Sequence, residues 1–491
     1  MVQEFEIVVI GAGPAGLTAA IRLMEMGHSV ALVEQEAFPR PQIGESLSPG
    51  VWHIFAYLGA GELLEDTHYL RDIPARVAWG KGEPALLEAG QRGAGLMVNR
   101  ARMDAHLLAL AVGKGLHVFQ PAKVVASSFR NDQYELKIQS AAGNEQITSR
   151  VVLDGRGRKG AHSRERIELA PASVGIWTNV PSNAMPARPH ETRIETVDEG
   201  WIWGAPVPGN QYRIMVFADP ESVKEKGPAR VLQQMRSNSR LFAPLANDTL
   251  NTGIKSCLVN AYVHTRPWDE RFIKIGEAAF TLDPLSSTGV EAAMRFSLQT
   301  AIAVHTMLSD GNPALARAFY ESKLADAVAS HCRWTSDYYA QSGKLETPSS
   351  FWAKRRNFRL DDITVSNDFT ALVKQRSTRE DAAREIKEPP AIPIDPLIRF
   401  LWDKPVRLSD QLAFSSEFAV TGYRVEIRRA LVHPNLLRPM VYLNQIEIPP
   451  LLNALHEGAT YGTVIETWCR HVTYTEVKKV LGFLWGAEVL Q

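Results

Sequence analysis

Three glycines and one glutamate carry the clearest chemistry in this sequence. Gly11-Ala12-Gly13-Pro14-Ala15-Gly16 sits between an apolar run, 5–10, and a helical pattern in which Leu17, Ile21 and Met24 share a face. In such a segment the first glycine permits a tight turn. The second lets the backbone approach a pyrophosphate, and the third lets helix and strand pack closely. The helix start offers free N–H groups and a partial positive charge to phosphates. A second apolar strand, 29–33, ends at Glu34. That carboxylate suits a ribose 2′-hydroxyl and would repel a 2′-phosphate. The spacing predicts a dinucleotide site with an unphosphorylated ribose. No nucleophile–base constellation accompanies it. Cys257, Cys332 and Cys469 lie far apart, with no CxxC pair and no ligand cluster, so no metal is expected.

Further segments add to this fingerprint. They are Phe38-Pro39-Arg40 with Ile43-Gly44-Glu45-Ser46-Leu47, Asn99-Arg100 through Asp104, and Asp154-Gly155-Arg156-Gly157-Arg158. Gly276-Glu277-Ala278-Ala279 follows, with Asp283-Pro284-Leu285-Ser286-Ser287-Thr288-Gly289-Val290-Glu291. In this order they resemble the flavin-lining motifs of the FAD-dependent monooxygenases and flavin-dependent halogenases that share the p-hydroxybenzoate-hydroxylase-like fold. The resemblance spans residues 5–345. It implies FAD as cofactor, held by Gly11, Ala12, Gly13, Pro14, Ala15, Gly16, Glu34, Arg40, Gly44, Glu45, Ser46, Arg100, Asp154, Gly276, Glu277, Pro284, Thr288, Gly289 and Val290. It departs at Glu277, where the family usually has Asp. Trp201-Ile202-Trp203-Gly204-Ala205-Pro206 is close to the halogenase WxWxIP motif, with Ala205 in place of Ile. By that likeness Trp201, Trp203 and Pro206 line a substrate tunnel. Read without the family, the two tryptophans are simply one face of a strand.

Flavin halogenases of this branch use a lysine within F-x-R-K-x-G-A-x-F-x-W-G. Anchoring residues 69–80 on Arg71 and Trp79-Gly80 places Asp72 at the lysine position. An aspartate repels halide and cannot form a chloramine. The resemblance therefore implies a monooxygenase, delivering OH⁺ from a flavin C4a-hydroperoxide to an electron-rich aromatic such as indole. One related branch hydroxylates a protein tryptophan during tryptophylquinone cofactor maturation, so a Trp-containing peptide or protein is a candidate substrate beside an aromatic small molecule. O₂ is the co-substrate, and NAD(P)H reduces the flavin directly or through a partner reductase. The alternatives are a natural-product halogenase and an FAD-dependent reductase or dehydrogenase. Asp72, Glu291 and His264 are candidate bases, although each also suits a structural place as a solvated carboxylate or a core histidine.

These residues need elements to position them. The 491 residues are 45% apolar and 22% charged, which suits a large globular core. Lys+Arg and Asp+Glu are equal at 54 each, so no global field attracts nucleic acid or an anionic membrane. No apolar stretch is long enough to span a bilayer, and no secretory leader pattern opens the chain. With three scattered cysteines, a cytoplasmic location is expected. The pattern together with the resemblance implies an α/β fold: a Rossmann-like FAD-binding domain over 1–170 and 266–345, with a β-sheet substrate domain inserted at 171–265. A helical or linker region is expected over 346–429, where 388–396 is rich in proline. A small winged-helix-like unit is expected over 430–491.

Overall fold

The computed structural model describes residues 2–80, 82–89, 95–160, 163–185, 190–243, 253–342, 349–358, 364–378, 395–453, 455 and 458–491. Lys81 and most of the proline-rich stretch at 388–396 lie outside these. The chain divides into two compact units, Met1–Thr378 and Arg379–Gln491.

The first unit opens with β1 (Gln3–Ile10), α1 (Pro14–Glu25) and β2 (Val30–Val33). Then come β3 (Ala75–Ala78), α2 (Arg100–Gly113), β4 (His117–Phe119) and β5 (Gly143–Asp154). A run of longer strands follows: β6 (Ser173–Pro181), β7 (Thr192–Val197), β8 (Gly200–Val207) and β9 (Gln211–Ala218). Helix α3 (Pro228–Ser237), β10 (Lys255–Val259) and β11 (Phe272–Lys274) lead to three helices: α4 (Gly289–Asp310), α5 (Pro313–Gln341) and α6 (Ser350–Asn357).

The parallel part of an eight-stranded mixed sheet, in the order β11-β5-β1-β2-β4, forms the first layer. β1 and β2 carry apolar runs because both faces are covered, and Ile7, Val8 and Val9 are fully buried. On one face Val8, Ile10, Ala31 and Val33 pack against Ala122, Tyr134, Leu136 and Ile138 of an antiparallel strand pair. Register aligns the carboxyl ends: Ile10 pairs with Val33 on one side and Asp154 on the other. The turns that leave β1, β2 and β5 therefore emerge side by side, where open α/β sheets bind ligands.

The second sheet runs β10-β6-β9-β8-β7-β3, then Ala85–Leu87. It follows the inserted-domain expectation with one difference: its last two strands come from residues 75–87, not from 171–265. Pairing β7 with β3 in parallel is a long-range contact that no local pattern announces. One face is closed by α3: Ile176, Ile202, Ile214 and Val216 are fully buried with Val231, Leu232 and Met235.

The first unit continues past 345. In α6, Phe351 and Trp352 pack into a buried cluster with Trp201, Phe217 and Tyr339, so this helix joins the core rather than a linker. The second unit begins before 430. Its antiparallel ribbon, Ala413–Thr421 with Arg424–Val432, precedes three helices at Ile448–Asn453, Tyr461–Trp468 and Tyr474–Gly486. Ile448, Trp468, Leu481 and Leu484 form its separate core. Among the described residues no helix is long and apolar enough to cross a membrane, and no His/Cys/Asp/Glu group has the makings of a metal site.

Candidate active site

Gly11 adopts φ +100°, and a Cβ there would stand 2.5 Å from the Gly155 carbonyl oxygen. The turn after β1 is thus pressed against the turn after β5, and only glycine fits. A Cβ on Gly16 would meet the Gly11 carbonyl oxygen at 2.0 Å. Helix α1 starts at Pro14, and no side chain caps it. Its first N–H groups are left for an anion. Glu34, 5% exposed, accepts the Ala12 N–H (2.7 Å) through one oxygen and the Glu36 N–H (2.9 Å) through the other. It pins the glycine turn while standing at the end of β2.

Arg40 lies over this turn. One of its terminal nitrogens is 4.0 Å from where a Gly13 Cβ would be, and its buried Nε has no hydrogen-bond partner among the described residues. A guanidinium with an unsatisfied Nε, its far end 3.9 Å from Asp104, beside an uncapped helix start and a cradle that a Cβ would fill, fits the pyrophosphate of FAD.

The flavin-side segments converge on the same edge. Arg100 donates to both oxygens of Asp104 (3.0 Å each) and to the Ile43 carbonyl (2.8 Å). This holds Gly44, at φ +97°, so that its missing Cβ would be 3.5 Å from Val290. Val290 lies in the first turn of α4, which Thr288 begins without a side-chain cap. Just upstream, Asp283 caps the Leu285 N–H (3.0 Å) in the short turn Pro284–Ser286, and the Ser286 and Thr288 hydroxyls share a 2.7 Å bond. Space at Gly289 is open. The free N–H groups of a 22-residue helix face that space. Gly276 closes the far side, where an added Cβ would touch the Ala15 Cβ at 2.8 Å.

Other residues named from the motifs brace this frame. Asp154, fully buried, accepts two 2.8 Å bonds from Arg156 and lies 3.6 Å from Lys274. Glu45 pairs with Arg213 of the second sheet and accepts the Gly44 N–H (3.0 Å). Glu277, half exposed, pairs with Arg158 at 3.4 Å. Ser46 pairs with Met97 in a short two-stranded ladder. The candidate bases do not converge. Asp72 is exposed in a left-handed turn, φ 52°. Glu291 is taken up by the Ser48 hydroxyl and by Arg295. His264 accepts the Arg266 N–H (3.0 Å) and faces Glu165 (3.2 Å). Burial, aided by Lys274, pulls its pKa down to about 4. It is a neutral structural histidine.

The open face of the second sheet supplies an aromatic wall. Trp177, Met215, Trp203, Ile194 and Val77 are consecutive cross-strand partners on β6, β9, β8, β7 and β3. All five are only partly buried, whereas their neighbours on the other face are sealed. Trp201 lies deeper on the same face, stacked on Phe217 with ring centroids 3.9 Å apart. Pro206 falls on the opposite face with Ile202 and Gly204, because side chains alternate along β8. Sequence reasoning missed Trp177, Met215 and Tyr339. Trp177 was findable, since the buried positions 176, 178 and 180 leave it on the other face. Tyr339 was not: its hydroxyl donates to both oxygens of Asp283 (3.0 Å each) from 56 residues away. Asp283 in turn donates its N–H to Nε2 of His331 (2.9 Å), whose pKa burial lowers.

Residues 6–82 and 87–388 match the family model described as tryptophan halogenase. A tryptophan 2-halogenase from Chondromyces crocatus is 27% identical over 370 residues, covering 72% of this chain and 70% of the relative. Two solved structures are similar along nearly the whole chain. The flavin-dependent halogenase CmlS gives a TM-score of 0.71 at 21% identity, covering 100% of this chain and 96% of CmlS. The peptidyl tryptophan dihydroxylase QhpG, described as essential for tryptophylquinone cofactor biogenesis, gives 0.69 at 20% identity, covering 99% of each chain.

Proposed function

This chain belongs to the tryptophan halogenase family, and from that membership we propose that it is an FAD-dependent monooxygenase that hydroxylates the indole of a tryptophan held in a peptide or protein. The observation that carries the proposal is Asp72. The residue at the halogenase lysine position is an exposed carboxylate in a left-handed turn. It offers no amine to hold an oxidised halogen. The fold likeness to QhpG along 99% of both chains supports a peptide-borne substrate.

Reduced FAD with O₂ supplies an electrophilic oxygen. The chain's part is to bind, orient and exclude water. The starts of α1 and α4 would hold the pyrophosphate and the anionic end of the flavin, and Arg40 would add positive charge beside the first. Trp177, Trp203 and Met215 present flat, polarisable surface against which an indole ring stacks. Indole is electron-rich enough to be attacked without a protein base, consistent with the engagement of Glu291 and His264 elsewhere. Electrons come from NAD(P)H directly or through a partner reductase.

Halogenation is the second reading, favoured by the sequence similarity and by Lys255. This lysine is the cross-strand partner of Trp177 at the sheet edge, exposed and on the face of the wall. The experiment supplies reduced FAD and O₂ to the purified chain with free tryptophan or a tryptophan-containing peptide, with and without bromide. Products are read by mass. One or two added oxygen atoms, indifferent to bromide and greater on the peptide, support the proposal. Bromine in the product that disappears in Lys255→Ala overturns it in favour of the second reading.

A further inference from the structure

Oxidisable rings form a line through the first unit, from the aromatic wall to the surface. Trp201, 2% exposed, lies at the inner end, packed with Trp203 and with Leu285 of the turn before α4. Its ring centroid is 6.4 Å from that of Trp79. Trp79 is 6.4 Å from Tyr338, and Tyr338 is 4.4 Å from Trp334. Tyr338 and Trp334 sit one turn apart on α5, 38% and 37% exposed. Rings at these centroid separations are nearly in edge contact, close enough for rapid electron exchange.

The hydrogen bonds set the direction. Trp79 Nε1 donates to the Tyr338 carbonyl at 2.9 Å. A carbonyl is a poor base, so an oxidised Trp79 keeps its proton and its oxidising power. Tyr338 faces water, which can take its phenolic proton. Tyr339 is also 6.4 Å from Trp79, but it is buried with its hydroxyl on Asp283. An equivalent that stopped there would remain beside the flavin turn.

We propose that Trp201, Trp79, Tyr338 and Trp334 form a hole-transfer line, a protective activity that carries one-electron oxidising equivalents out of the site. The oxidants are of the oxygen-radical class, formed when reduced flavin meets O₂ without an acceptor substrate. The oxidant gains one electron from the Trp201 indole. Trp79 gives an electron to Trp201, and Tyr338 gives one to Trp79 while its phenolic proton passes to water. A thiol or ascorbate-class reductant in solution then returns an electron and a proton to Tyr338 or, after exchange, an electron to Trp334. The line serves a hydroxylase and a halogenase equally.

The test excites bound FAD with a blue flash, making it a one-electron oxidant within the holoprotein, and follows aromatic radicals by transient absorption. Wild type is expected to give a long-lived tyrosyl signal. Trp79→Phe is expected to lose it, and Tyr338→Phe to leave only a tryptophanyl signal. Retained FAD absorbance in each variant shows that cofactor binding survives, and its loss in wild type would instead point to the cofactor assignment. A second measurement maps oxidation by mass spectrometry after aerobic flavin reduction without substrate, with catalase present. Marks at Trp334 and Tyr338 in wild type should move to Trp201, Trp203 and Met215 in Trp79→Phe. An unchanged tyrosyl signal in Trp79→Phe overturns the proposal. So does a signal lost in Tyr339→Phe but kept in Tyr338→Phe, or an oxidation map that does not move.

Discussion

A methyl group at position 11 would stand 2.5 Å from the Gly155 carbonyl oxygen, at a φ of +100° that alanine resists. Gly11→Ala is therefore expected to cost about 1–3 kcal/mol of backbone strain. The turn would move out of the pyrophosphate site, and FAD retention on gel filtration should be lost. Retention of stoichiometric yellow flavin would contradict the cradle. His264 supports a pH prediction. It titrates near 6.5 in an unfolded chain and at about 4 in this fold. Between those values the unfolded chain binds more protons, so stability is full above pH 6.5 and falls as pH drops toward 4. His264→Gln removes the proton uptake. The loss of melting temperature between about pH 7 and pH 5 should then shrink, by an amount on the order of 2 kcal/mol of stability. An equally steep decline in the variant would assign that pH dependence elsewhere.

At the scale of elements, β6 separates two roles by alternation. Ile176 is fully buried against α3, and truncation to alanine is expected to cost about 2–5 kcal/mol of stability. Trp177, next in sequence, is half-buried in the open row. Trp177→Ala should leave the melting temperature near wild type and raise KM for an indole substrate roughly tenfold, about 1.4 kcal/mol, with kcat changed less. Measuring both variants by thermal melt and steady-state kinetics checks the orientation of the sheet. If the two phenotypes are exchanged, the wall is on the other face. The turn over 283–288 shows how elements cooperate. Asp283 caps it locally, but Tyr339 on α5 fixes the cap. Helix α5 thereby touches the 283–288 turn and the aromatic wall together.

Across the whole molecule, one chain forms two compact units, Met1–Thr378 and Arg379–Gln491, each with its own buried clusters. Trp468 is fully buried in the second unit and donates its Nε1–H to the Leu451 carbonyl (2.9 Å). Trp468→Ala is expected to destabilise that unit by about 3–5 kcal/mol. In calorimetry the transition of the Arg379–Gln491 unit should shift down while bound FAD absorbance persists. Loss of flavin together with the unit would show that one core depends on the other.

The βαβ start, the flavin motifs and the α/β class could be read from sequence because each is local. A glycine turn, an uncapped helix start and an acid at a strand end are written within about thirty residues and obey backbone sterics. The fold decided which of the remaining polar residues are free. Asp154, Glu45 and Glu291 looked available as carboxylates, yet each is paired with an arginine; Arg156 and Arg295 are near neighbours in sequence, whereas Arg213 of β9 could be assigned to Glu45 only once the chain had closed. It also decided that residues 75–87 complete the second sheet, and that Trp177, Met215 and Trp203 form one row. Those are contacts between strands far apart in sequence. Their register depends on the summed burial of both sheet faces, a quantity that exists only in the packed tertiary structure.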